Sequence, residues 1–125
     1  ESNDFEHEGN VPTKFTCDGT DVSPHLAWSD VPEGTKSFAL IVDDPDAPMG
    51  IWVHWLVCDI SPDTRDISED SIPLGAKQVT NDFGNEDYGG PCPPSGVHRY
   101  FFKLFALDVE KHKIAEAILM GRYGR

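Results

Sequence analysis

A few residues of this 125-residue chain pair a reactive side chain with a stiff setting. They are Asp44 and Asp46 in Asp44-Pro-Asp-Ala-Pro48, His54 in Trp52-Val-His54, and His98 and Tyr100 in Val97-His-Arg-Tyr100. Two prolines fix φ and remove N–H donors, so the paired carboxylates sit on a rigid turn directly after an apolar run. An EF-hand calcium loop fails, because its third oxygen ligand would fall on Pro48 and its glycine on Met49. Asp44, His54 and His98 could supply a two-His-one-carboxylate metal triad, the group a metal-dependent hydrolase would use. No second carboxylate and no His-x-His spacing reinforces it, so a metal-free polar pocket is the preferred reading.

Nucleophilic chemistry has two candidates: Cys92 with His98, and Ser95 with His98 and Asp44. Gly90-Pro-Cys-Pro-Pro94 is a poor setting, because its prolines remove the backbone N–H groups from which an oxyanion hole is made. No G-x-S-x-G elbow occurs, and Cys17, Cys58 and Cys92 lack the C-x-x-C pair of a zinc site. What remains is an anion pocket. Two imidazoles and a phenol would hold a phosphate or carboxylate through short hydrogen bonds, and Asp44 would orient one histidine and fix its tautomer. The expectation is a binding protein with no catalytic residue, no metal and no cofactor.

Positioning these groups falls to strands. Lys36–Asp43, Ile51–Ile60 and Val97–Asp108 are near-continuous apolar runs rich in β-branched and aromatic residues, bounded by Pro, Gly, Asp and Ser. Period-two alternation predicts that Trp52, His54, Leu56 and Cys58 share one face. It likewise puts His98, Tyr100, Phe102 and Leu104 together, with Arg99 and Lys103 opposite. Residues 111–121 fit either a helix, through Ile114, Ala117 and Ile118, or a last strand. The intervening segments lack a helical period, which argues against βαβ units and for a sandwich.

Whole-chain arithmetic bounds the partners. With 22 acidic and 10 basic side chains the net charge is -12, which opposes nucleic acid and anionic membranes. Residues 111–125 hold Lys111, Lys113, Arg122 and Arg125 against Glu116, a net +3, leaving -15 on residues 1–110. No apolar stretch is long enough to span a bilayer as a helix. Three cysteines are too few for a disulfide scaffold and favour a cytoplasmic home, with a single Cys17–Cys92 bridge as the exported alternative. The oligomeric state stays open, a homodimer included.

Three segments resemble the phosphatidylethanolamine-binding protein family, also known as the Raf kinase inhibitor protein family, in its bacterial and archaeal branch. They are Cys17-Asp-Gly-Thr-Asp-Val-Ser-Pro-His-Leu-Ala-Trp28, Asp44-Pro-Asp-Ala-Pro48 with Trp52-Val-His54, and Gly90-Pro-Cys-Pro-Pro-Ser-Gly-Val-His-Arg-Tyr100. The resemblance implies an all-β sandwich, a large central sheet beside a smaller one with one or two peripheral helices. It also implies a single small pocket for phosphate, acetate or a phosphoethanolamine head group, lined by Asp44, Trp52, His54, Pro94, His98 and Tyr100. Cys92 stands where the mammalian branch has a glycine, and Ala47–Pro48 is implied to be cis. Clients implied by the resemblance are kinases and serine proteases, the latter also by loop-mediated inhibition. The chain departs from the family between Asp108 and His112, where a further stretch is usual, so residues are expected to be missing between Glu110 and Lys111 of a single domain spanning 1–125.

Overall fold

In the computed structural model, which describes residues 1–125, the three long apolar runs become strands that carry the molecule. The strands are β1 (Leu26–Ala27), β2 (Ser37–Asp44), β3 (Trp52–Ile60), β4 (Asp66–Ile67), β5 (Lys77–Val79), β6 (Val97–Leu107) and β7 (Lys113–Gly124). A five-stranded sheet has the order β5-β3-β2-β6-β7, and β1 with β4 forms a two-stranded second sheet. Every pairing within these sheets is antiparallel. The fold is therefore all-β, a large sheet beside a small one. The peripheral helices implied by the family resemblance are not present; one 3-10 turn, Thr13–Phe15, is the only helical element.

The core lies on one face of the large sheet. Phe38, Leu40 and Val42 of β2, Trp55, Val57 and Ile60 of β3, and Tyr100 and Phe102 of β6 are buried there. Leu26, Ile67, Phe5, Val11 and Phe15, from the small sheet and the N-terminal segment, join the same cluster. Fully burying side chains of this size stabilises by about 1.5–3 kcal/mol each, which makes this face the principal source of stability.

Of residues 111–121, Lys113 onward is strand and 111–112 belong to the turn before it. Ala115, Ala117 and Leu119 pair with Ala106, Leu104 and Phe102, whose faces they share, while Ile114 and Ile118 are exposed. Period two wins because β6 supplies a ready edge. The connection is closed by a tight turn. Lys111 N–H donates to Asp108 O at 3.0 Å, and the Asp108 carboxylate accepts from the N–H groups of Glu110 and His112 at 2.9 Å each. Those donors hold the Asp108 carboxyl below the usual carboxylate range.

The alternation predicted for β3 fails at two places, between Val57 and Ile60 and at His54. Val42 faces Trp55 while its neighbour Asp43 faces Val53, so His54 is the extra residue of a β-bulge. The bulge turns His54 and Trp55 both into the interior, and Leu56 and Cys58 are only half-buried. His54 thus parts from Leu56 and Cys58, with which simple alternation had grouped it. On β6 the alternation holds: His98, Tyr100 and Phe102 are buried and Arg99 is exposed.

Candidate functional site

At one end of the sheet the chain makes a cavity of about 240 Å³. Asp44, Trp52, His54, Cys92, Pro94, His98 and Tyr100, the seven residues expected at the pocket, line it, whereas Asp46 and Ser95 do not. Asp44 ends β2, Trp52 and His54 open β3, and His98 and Tyr100 open β6, so adjacent strand ends bring them together. Sequence reasoning missed Phe83 and Met49 in the same wall. An apolar groove of about 340 Å³ lies between β1 and β6–β7, but Glu1 is its only titratable side chain.

Asp44 is nearly fully buried, at 3 % exposure, and both its oxygens are engaged. Oδ1 accepts from the N–H of Asp46 at 2.7 Å, closing the Asp44-Pro45-Asp46 turn on itself. Oδ2 lies 2.6 Å from His98 Nδ1. A carboxylate can only accept, so Nδ1 carries the proton and Nε2 is the free nitrogen of His98. Asp46 points outward and takes the Arg99 backbone N–H and a bidentate grip from the Arg99 guanidinium at 2.8–2.9 Å. The guanidinium hydrogen bonds hold Asp46 down to about 2. The Ala47–Pro48 bond is trans, contrary to the cis bond implied by the family resemblance.

His54 is held from the other side. Its Nδ1 lies 2.6 Å from Gly89 O, so Nδ1–H donates and Nε2 is again free. Gly89 N–H returns a bond to His54 O at 3.0 Å, and Asn81 Nδ2 donates to the same carbonyl at 3.0 Å. Asn81 is the hub of this loop. Its amide also donates to Asp87 O, and its Oδ1 accepts from Phe83 and Asn85. Asn81-Asp-Phe-Gly84 carries a turn signature, the one sequence signal that could have flagged this segment. Burial pushes the His54 pKa down, against the opposing pull of Gly89 and Asp44, so the ring is neutral at pH 7.

Tyr100 is 1 % exposed, and its hydroxyl has no hydrogen-bond partner. The Cys92 backbone lies close enough to influence the phenol without making a bond of good geometry. Burial, with the nearby Asp44 charge, pushes its ionisation well above the usual phenol range, so it remains an O–H donor. The ring stands edge-on to His54 at 5.2 Å and parallel to His98 at 6.5 Å. Cys92 is bridged to Cys17, which removes it as a thiol nucleophile. No group of three His, Cys, Asp or Glu side chains is arranged to hold a metal ion.

The family model described as phosphatidylethanolamine-binding protein matches residues 1–123. A UPF0098 protein of Aquifex aeolicus is 57% identical over 115 residues, covering 87% of this chain and 67% of that protein. A UPF0098 protein of Methanothermobacter thermautotrophicus is 44% identical over 143 aligned positions, covering 97% of this chain and 95% of that protein. Set against 125 residues here, those 143 positions leave at least 18 in that relative without a counterpart. Among solved structures, Escherichia coli YbcL, described as a member of the mammalian PEBP family, superposes with a TM-score of 0.94 at 37% identity. That match covers 100% of this chain and 96% of YbcL. A phosphatidylethanolamine-binding protein homolog from Chlamydia trachomatis gives 0.93 at 38% identity, covering 99% and 95%. The chain belongs to the phosphatidylethanolamine-binding protein family.

Proposed function

We propose that this is a non-enzymatic binding protein whose pocket takes a small anionic group of the phosphate or phosphoethanolamine type. The observation that carries this reading is the Tyr100 hydroxyl, buried beside the cavity without a partner. Buried donors are normally satisfied, and an anion oxygen would satisfy this one. His54 is the second donor. Its ring is neutral, with Nδ1–H held by Gly89 O, and an anion in the pocket draws a proton onto its free Nε2. Binding therefore takes up a proton and tightens as pH falls.

Against a metal-dependent hydrolase stands the engagement of both Asp44 oxygens and the lack of three converging ligands. A protein client, a kinase or a serine protease, belongs to this reading through the family alone. No helix of the fold is long and apolar enough to cross a membrane. A cytoplasmic home is the sequence-based expectation; the Cys17–Cys92 bridge weighs against it, since lasting disulfides belong mainly to oxidising compartments. Thiol trapping in intact cells decides that point. The pocket is tested by NMR titration of phosphate and phosphoethanolamine into the wild type and His54→Ala/His98→Ala. Saturable shifts confined to the cavity and lost in the variant are expected. Equal, weak shifts spread over the whole surface would sink the proposal.

A further inference from the structure

We propose that the Cys17–Cys92 disulfide is a reducible latch that holds one wall of the pocket in its binding shape and releases it to a dithiol reductant. The inference rests on the pocket being the binding site. The wall in question is Cys92-Pro93-Pro94, each residue of which lines the cavity. It cannot hold itself. Pro91, Pro93 and Pro94 have no N–H, and none of residues 92–95 takes part in a backbone–backbone hydrogen bond. Before the wall, Pro91 O accepts from Cys17 N–H at 3.1 Å; after it, Gly96 O accepts from Arg125 N–H at 3.1 Å. Between those points the anchors are the disulfide and one bond from Arg125 Nε to Pro93 O at 2.8 Å.

The bridge is built to be reached. Cys17 and Cys92 are both exposed. The Arg125 guanidinium lies 3.5 Å from Cys17 Sγ and 3.8 Å from Cys92 Sγ, and Asp18 holds it there at 3.0 Å. A cation beside a disulfide stabilises the departing thiolate and so speeds exchange. A thiolate of the dithiol attacks one bridge sulfur and the other leaves as a thiolate beside Arg125. The second thiol of the reductant then resolves the mixed disulfide. Two electrons and two protons pass to the protein, leaving Cys17 and Cys92 as thiols and the reductant as its own disulfide.

Release frees only that wall. Asp44, His98 and Tyr100 stay on their strands, and His54 keeps its bonds to Gly89. Losing one wall removes preorganisation and not the donors, so binding weakens without abolishing the fold. Inorganic phosphate is titrated by NMR into the oxidised protein, the protein held in excess dithiothreitol, and Cys17→Ser/Cys92→Ser. Affinity should fall about tenfold in the last two and return on reoxidation of the wild type, with β2 and β6 amides unmoved. Equal affinity in oxidised and reduced protein overturns the latch, and so does global unfolding on reduction, which would make the bridge a structural staple. Arg125→Ala should slow reduction by dithiothreitol about tenfold, and an unchanged rate removes Arg125 from the mechanism. If even the oxidised protein ignores phosphate, the pocket reading fails. The latch is then judged alone by backbone order parameters at Cys92 and Ser95. Loss of order on reduction supports it, and no change overturns it.

Discussion

A hydroxyl buried without a partner is a standing cost to the fold, and Tyr100 carries one in the wall of the pocket. Tyr100→Phe should therefore leave the protein as stable as wild type or up to about 1 kcal/mol more stable, since an unsatisfied group is removed. The same change should weaken phosphate binding by about 1.5–3 kcal/mol, the scale of a hydrogen bond to a charged group. Thermal denaturation and titration of the same sample check both; a drop in stability with unchanged affinity contradicts the role given to the hydroxyl. His54 makes a second residue-scale prediction. Its pKa is lowered by burial, so the unfolded chain binds more protons than the native one as pH falls below the ordinary value of about 6.5. The stability linked to neutral His54 is thus fully present above about pH 6.5 and lost as pH falls through the lowered native value. Urea denaturation of wild type and His54→Asn between pH 7.5 and 5 should show the steeper fall in the wild type, and parallel curves would contradict it. Sulfate, which stays dianionic over that range, should bind more tightly as pH falls, and a flat profile would mean that backbone groups, not imidazoles, do the binding.

At the scale of elements, the bulge at His54 and the loop headed by Asn81 form one device. The bulge breaks the strand's regular pairing, and Asn81 and Gly89 satisfy the carbonyl it exposes. Asn81 is 5 % exposed and takes part in four side-chain hydrogen bonds, so Asn81→Ala should cost about 2–4 kcal/mol and weaken phosphate binding together with it. A cost below about 1 kcal/mol would show that the loop is held by other means. Much of this level was legible in the chain. The strands at Ser37–Asp44, Trp52–Ile60 and Val97–Leu107 follow from apolar runs ended by Asp, Pro and Gly, and the alternation on β6 is kept. The bulge was not legible, because two residues opposing one is a property of how β2 pairs with β3. Residues 111–121 were ambiguous because Ile114, Ala117 and Ile118 fit a helical period while Ala115, Ala117 and Leu119 fit a strand. The edge of β6 decided between them. The pocket's residue types stood out in sequence, whereas Phe83 in its wall and Gly89 behind His54 are brought there only by tertiary folding.

For the whole molecule, the disulfide joins positions 75 residues apart. Closing a loop of that size is worth about 4 kcal/mol in the chain-entropy picture, a large fraction of the roughly 5–15 kcal/mol of an ordinary domain. The reduced protein should stay folded at 25 °C with its midpoint lowered by about 10–20 °C, which calorimetry with and without dithiothreitol measures. An unchanged midpoint would mean that the bridge constrains little. The charge of -12 is spread over a surface where Arg99, Lys103 and Lys111 are already paired with Asp46, Asp43 and Asp59. Long-range attraction thus contributes little to anion binding, and what selects a phosphate is the short-range geometry of His98, His54 and Tyr100. Isothermal titration of phosphate into oxidised wild type and Tyr100→Phe, at pH 6 in buffers of different ionisation enthalpy, tests that claim most directly. Saturable one-site binding with net proton uptake, weakened about tenfold or more in Tyr100→Phe, is the result predicted. No saturable binding, or equal binding by the variant without proton uptake, would contradict it.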